Sequence, residues 1–221
     1  MLKEFFRKLT SLTGPGTAIQ EVLYGFIMAL TFAYAVRFGL LHFDSKVSFM
    51  LTVTGMDLTW GVIDGIIFFY VWALDIRRHT RVISNADGMS REARVQELMD
   101  SFSGTPLDAV NDEEKRKVCE SLLDKPVQSR EEFKADRKAM FLNSVGCVIF
   151  SNVALIPVLG PLFFIDDFVF ALEIACWIST ICLFIVGYYM APYLGLGRIS
   201  TGAVLAGISL VISVAAVFTG G

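Results

Sequence analysis

The chain has 221 residues, 54% of them hydrophobic and 13% aromatic, with a mean hydropathy of +0.59. Its formal charge is −3, from 19 Lys and Arg against 22 Asp and Glu. Apolar residues gathered in long runs exclude a secreted disulfide scaffold, a disordered chain and most soluble enzyme folds, and the lack of a basic excess excludes a nucleic-acid binder.

Residues 1–16 open the chain with a mildly basic segment. Phe5, Phe6, Leu9 and Leu12 recur at helical spacing, which predicts a short amphipathic helix on the membrane surface, ended by Gly14-Pro15-Gly16. The apolar run behind it is too long for a signal peptide and no small-residue cleavage site follows, so it reads as a retained span. Spans are predicted near 18–40, 47–74, 139–159, 168–190 and 200–218, each of about the 20 residues that a bilayer requires. Pro157 and Gly160-Pro161 are expected to stop the third, and Pro192 and Gly195 the fourth. The fold class is therefore an all-α membrane bundle of five transmembrane helices. It divides into an N-terminal segment (1–16), spans one and two (17–74), a helical insertion (75–138) and spans three to five (139–221).

The insertion carries 13 Lys and Arg and 14 Asp and Glu. That is too charged for lipid. Asn111-Asp-Glu-Glu114 and Ser129-Arg-Glu-Glu132 read as capping boxes. Helices are expected near 90–102, 112–124 and from 130 onward, the last running without a break into span three. Asp87-Gly88, Gly104-Thr-Pro106 and Asp124-Lys-Pro126 supply the turns. Positive residues favour the cytoplasmic side. Lys3, Arg7 and Lys8 precede span one, and the insertion is rich in cations, while the loop after span three has only Asp166 and Asp167. This places the N-terminus and the insertion in the cytosol and the C-terminus outside. Short termini without a transit signal favour a prokaryotic plasma membrane.

A charge at mid-bilayer costs about 2.5–3.5 kcal/mol on insertion scales, so such a residue has a task or a partner. Asp57 and Asp64 lie seven residues apart on span two, on one helical face and about 10 Å apart along the axis. Gly61 lies between them, and Gly61-Val-Ile-Asp-Gly65 is a small-xxx-small pattern that turns this face toward protein. Glu173 enters span four near its outer end, with Asp166 on the same face, and Asn152 falls in the outer half of span three. Asp57, Asn152, Asp166 and Glu173 are expected to form an acidic cavity open to the outside, with Asp166 and Asp167 at its vestibule and Asp64 as the next step inward. Carboxylates in a bundle interior suit a cation or proton path, and the thioethers of Met28 and Met56 would add softness for iron or similar ions. Glu113 and Glu114 are weaker candidates for holding metal on the insertion. The competing reading makes the carboxylates glue between helices, within a chain or across a dimer, since Gly-x-x-x-Gly also marks dimer faces.

The remaining candidates are bland. His42 and His79 sit at span ends. Cys119, Cys147, Cys176 and Cys182 form no C-x-x-C pair and read as small hydrophobes. The sequence has no P-loop, no H-E-x-x-H and no Gly-x-Gly-Asp of an intramembrane aspartyl protease, so no enzyme is indicated and no permanently bound cofactor is expected.

The layout resembles the vacuolar iron transporter family: five spans, an inside N-terminus, and a helical polar block between spans two and three. Leu155-Ile-Pro-Val-Leu-Gly-Pro-Leu162 is similar to that family's proline-containing break. Tyr24-Gly-Phe-Ile-Met-Ala-Leu-Thr-Phe32 and Asp57-Leu-Thr-Trp-Gly-Val-Ile-Asp-Gly65 resemble a divergent prokaryotic branch. The resemblance implies a homodimer that moves ferrous iron, manganese or a similar divalent cation out of the cytosol in exchange for protons, with cytosolic helices that gather metal. The family's first-span aspartate falls at Met28 here. Either Asp64 supplies that acid or the activity differs. The alternative from another class is a non-transporting scaffold or sensor whose polar block docks a partner.

Overall fold

The computed structural model describes residues 2–125 and 130–219, and these are helical with no strand among them. In chain order they form α1 (Leu2–Thr13), α2 (Pro15–Arg37), α3 (Lys46–Ser84), α4 (Arg91–Asp100), α5 (Asp112–Leu123), α6 (Arg130–Leu159), α7 (Pro161–Phe164), α8 (Phe168–Met190) and α9 (Arg198–Thr219). Helices α2, α3, α6, α8 and α9 contain stretches long and apolar enough to cross a membrane, as the five runs predict.

Local chemistry sets most of the boundaries. Gly14 adopts φ +84 and hands the chain to Pro15, whose ring already holds a helical φ at the first position. At the other end of α2, Gly39 at φ +74 lets the Leu40 N–H reach back to the Ala35 carbonyl at 2.9 Å, a Schellman closure. Asp167 caps α8 by accepting the Phe170 N–H at 2.7 Å. Asn111 caps α5 through the Glu114 N–H at 2.9 Å, as its capping sequence predicts. The second predicted capping box begins at Ser129, outside the described residues, as does Pro126; α6 does begin at Arg130 and runs into the third apolar segment.

One boundary differs from expectation. Helix α3 continues ten residues past 74 to Ser84, because 75–84 has neither Gly nor Pro and an established helix propagates readily. It stops where Asn85 turns left-handed at φ 54 and the Ala86 N–H closes onto the Arg81 carbonyl. Helix α6 ends at Leu159, as expected, with Pro157 inside its last turn. A proline so close to a helix end removes one hydrogen bond, and the Gly160 N–H still reaches the Ile156 carbonyl at 3.1 Å.

The chain divides into two compact units, residues 1–66 with 142–221 and residues 67–141. In the first, Leu30, Phe49, Val53, Leu155, Leu172 and Leu183 join one core drawn from all five long helices. The helices approach closely at small residues. A Cβ on Gly25 would lie 2.5 Å from the Ser151 carbonyl oxygen, and one on Gly187 would lie 2.9 Å from Gly202 Cα. The outward surface is apolar, with Leu51, Trp177 and Ile199 more than 60% exposed, as a lipid-facing surface requires. Helix α1 forms as predicted, and its Leu9 is buried with Ala18 and Phe150. The side chains of Phe5, Phe6 and Leu12 lie outside the described ones.

In the second unit, α4 and α5 close over Val82, Val95, Leu98, Cys119 and Leu123. Arg94 caps the end of α3 by donating to the Val82 and Ile83 carbonyls at 2.7 and 2.5 Å. Arg78 pairs with Glu97, Arg116 with Glu92, and Arg91 with Asp124 at 2.9 Å.

Candidate intramembrane carboxylate site

In the first unit, two carboxylates of one helix stand within electrostatic range of a third on another, without converging on one point. Asp57 and Asp64 come from α3. The third, Glu21, comes from the second turn of α2 and was not singled out by the sequence reading. Glu21 and Asp57 are each only 1% exposed. Asp64 and Asp57 are the charges that act on Glu21.

Small residues bring these groups together. Buried Ala18, Glu21, Gly25 and Ala29 form a stripe along α2. On α3, Asp57, Gly61 and Gly65 are buried on the face turned to α6. A Cβ on Gly61 would lie 2.8 Å from Ser151 Oγ and 3.0 Å from Val148 Cα, and one on Gly65 would lie 2.8 Å from the Ser144 carbonyl oxygen. Ser144 Oγ ties the pair by donating to the Gly65 carbonyl at 2.6 Å. On α6, Asn143, Cys147 and Ser151 recur every four residues as buried positions on one face, of which Ser151 meets Gly61 and Cys147 neighbours Glu21.

The hydrogen bonding around the acids is incomplete. Ser151 faces Asp57, but its hydroxyl donates to the Val148 carbonyl at 3.4 Å. No well-formed hydrogen bond reaches either Asp57 oxygen or Glu21 Oε1, and the Ser151 hydroxyl is the donor that stands beside Asp57. Cys147 is the polar neighbour of Glu21. Asn143 Oδ1 and Thr13 Oγ1 are buried in the same condition. A buried polar atom without a partner costs about 1–3 kcal/mol, so the oxygens of Glu21 and Asp57 mark places where ions or water belong.

Asp64 is half-buried and has a different outlook. It lines a cavity of about 430 Å³ between α2 and α3, together with Met28, Met56, Thr31, Tyr24 and Trp60. The two thioethers and one acid that the sequence proposed for an ion path therefore line one cavity, Met28 from α2 and Met56 and Asp64 from α3. Asp57 does not line this cavity, although it sits on the same helix face.

Of the residues expected at the outer acidic cavity, Glu173 is half-exposed and lies 3.9 Å from Arg37. Asp167 is occupied as the α8 cap, and Asp166 is exposed. Asn152 Nδ2 donates to the Val148 carbonyl of its own helix at 3.0 Å and to Ser151 Oγ at 3.4 Å. None of these four lines the cavity that holds Asp64.

Glu113 and Glu114 are exposed in the first turn of α5, where Glu113 pairs with Lys117 at 2.6 Å. Their place suits the positive helix N-terminus rather than a metal. Among the described residues no three His, Cys, Asp or Glu side chains converge on a metal position. On the insertion, hydrogen bonds from Arg116 and Arg91 hold the carboxyls of Glu92 and Asp124 below the usual range. The four cysteines are free, and Cys119, Cys147 and Cys176 are buried, in line with their reading as small hydrophobes.

Comparison with protein-family models, with curated proteins and with solved structures finds no match to this chain.

Proposed function

We propose that this chain is an integral membrane transporter in which protons and a cation compete for Glu21, Asp57 and Asp64. The observation that carries this reading is the pair of fully buried carboxylates, Glu21 and Asp57, whose polar neighbours are only the Cys147 thiol and the Ser151 hydroxyl and which leave Glu21 Oε1 and both Asp57 oxygens short of a well-formed hydrogen bond. Acids that serve only as glue between helices make hydrogen bonds across the contact, since that is how they stabilise it. A carboxylate kept in the bundle without such bonds is suited to binding and releasing something.

The cargo of this reading is a divalent cation such as ferrous iron or manganese. Asp64 offers a hard oxygen, and Met28 and Met56 line the same cavity with soft sulfur at separate points of the path, which favours borderline metals over magnesium. Hydroxyls and water would complete the coordination. The resemblance to vacuolar iron transporters supports the same cargo, a homodimer, and export from the cytosol in exchange for protons. Asp64 then takes the role that the family gives to a first-span aspartate, with the polar insertion on the cytosolic side of a prokaryotic plasma membrane.

The test is flux into liposomes. Purified protein is reconstituted and uptake of ferrous, manganous and zinc ions is followed with and without a pH gradient, beside Asp57→Asn and Asp64→Asn. Uptake that responds to pH and falls at least tenfold in either variant supports the reading. An Asp64→Asn protein that transports as well as the parent overturns it and favours the scaffold alternative.

A further inference from the structure

A basic groove runs along the second unit where α3 leaves its apolar stretch and α6 enters its own. Two adjoining cavities, of about 310 and 390 Å³, share Phe69 and Arg137 as lining residues. Lys134, Arg137, Lys138 and Phe141 line the second and fall at i, i+3, i+4 and i+7, so they form one stripe on α6. Arg77 of α3 lines the first. Among the described residues none of these four cations forms an ion pair, whereas Arg78, Arg81, Arg91 and Arg116 in the same unit all do. Asp136 is the acid of the groove.

The groove is graded along its length. Phe69, Ala73 and Met140 lie toward the apolar ends of the two helices, and Arg77 and Lys134 toward the polar ends. Unpaired cations beside an aromatic floor, at the level where an apolar span becomes a polar helix, match a molecule with an anionic head and an apolar body. A soluble anion would leave the aromatic floor unused. A neutral lipid would leave the cations unused.

We propose that this groove binds an anionic phospholipid, with the phosphate held by Arg137, Lys138, Lys134 and Arg77 and the acyl region laid against Phe69 and Phe141. The site is independent of the carboxylates and of what they carry. Its place between the end of one long helix and the start of another makes the lipid a clamp on the two segments that join the spans to the insertion.

The full chain in detergent is tested by native mass spectrometry after titration with phosphatidylglycerol, phosphatidylcholine or soluble glycerophosphate. Arg137→Gln/Lys138→Gln is compared with Lys117→Gln/Lys125→Gln, which removes the same charge elsewhere on the insertion. At about fivefold per cation, the groove variant should bind phosphatidylglycerol on the order of thirtyfold more weakly when both contacts are direct, and about fivefold more weakly when one is. The comparison variant should bind like the parent, and phosphatidylcholine should not compete. Equal loss in both variants would overturn the proposal in favour of general charge attraction. Displacement of the lipid by glycerophosphate at equal concentration would overturn it in favour of a phosphate site. Circular dichroism of each variant checks that the helices are intact, and a phenylalanine-to-alanine change at Phe141, which keeps all cations, should weaken the lipid and leave glycerophosphate unaffected.

Discussion

Replacing Asp57 by alanine should make the protein more stable and less active. Its side chain is 1% exposed, and no well-formed hydrogen bond reaches either carboxylate oxygen. Leaving a buried polar group unsatisfied costs about 1–3 kcal/mol, and alanine removes that cost. The change also deletes three heavy atoms, and the small void left behind costs under about 1 kcal/mol at roughly 24 cal/mol per Å³. The net expectation is a gain of about 1–2 kcal/mol, five- to thirtyfold in the folding equilibrium. Reversible unfolding of the purified protein in mixed micelles, titrated with sodium dodecyl sulfate and read by far-ultraviolet circular dichroism, measures it. Flux through the same variant should be lost. A variant destabilised by more than about 1 kcal/mol would show that Asp57 is a hydrogen-bonded structural residue, and the account of the site would fail with it.

Three further expectations are independent of that one. Gly65→Val should destabilise the bundle by about 1–3 kcal/mol, because its Cβ would stand 2.8 Å from the Ser144 backbone oxygen. Gly207→Val is the control, since nothing lies within 4 Å of its Cβ position; equal effects in the same unfolding titration would refute the close α3–α6 crossing. Met28→Leu/Met56→Leu should lower ferrous uptake relative to magnesium and leave proton sensitivity in place, and unchanged selectivity would remove the thioethers from the path. The insertion should lose stability in acid. Arg81, Arg116 and Arg91 depress the carboxyls of Asp87, Glu92 and Asp124, so the stability they lend is present above the unfolded value near pH 4 and is lost as pH falls through the depressed folded values. All three pairs are exposed, so the loss is small and shrinks with salt; a helix melting profile of the insertion that is flat from pH 7 to pH 3 would contradict it.

Much of the architecture is legible in the sequence. Apolar runs of span length, broken by Gly14-Pro15 and Gly160-Pro161, set the five long helices, and Asn111 announces its cap. What the runs conceal is continuity. Nothing in residues 75–84 breaks a helix, and a change from apolar to charged residues does not end one, so α3 extends into the insertion. The site is legible only in part. Asp57 and Asp64 stand out as charges inside an apolar run. Glu21 falls near the start of its span, where a charge reads as interfacial, although its spacing with Ala18, Gly25 and Ala29 puts it on the small-residue face that packs against protein. That periodicity is the signal that finds it. The partner of Glu173 is not legible either, because helix position along the bilayer says nothing of direction around the helix, and Arg37 lies 3.9 Å from it.

The most direct test of the central claim is proton release. Purified protein in weakly buffered detergent is mixed with ferrous or manganous ion and the pH is followed, for the parent and for Glu21→Gln, Asp57→Asn and Asp64→Asn. If protons and a cation compete for these carboxylates, the parent releases protons on binding, Asp64→Asn releases none, and Glu21→Gln and Asp57→Asn release fewer. Binding of the ion without proton release, or release unchanged when all three acids are replaced together, would contradict the account.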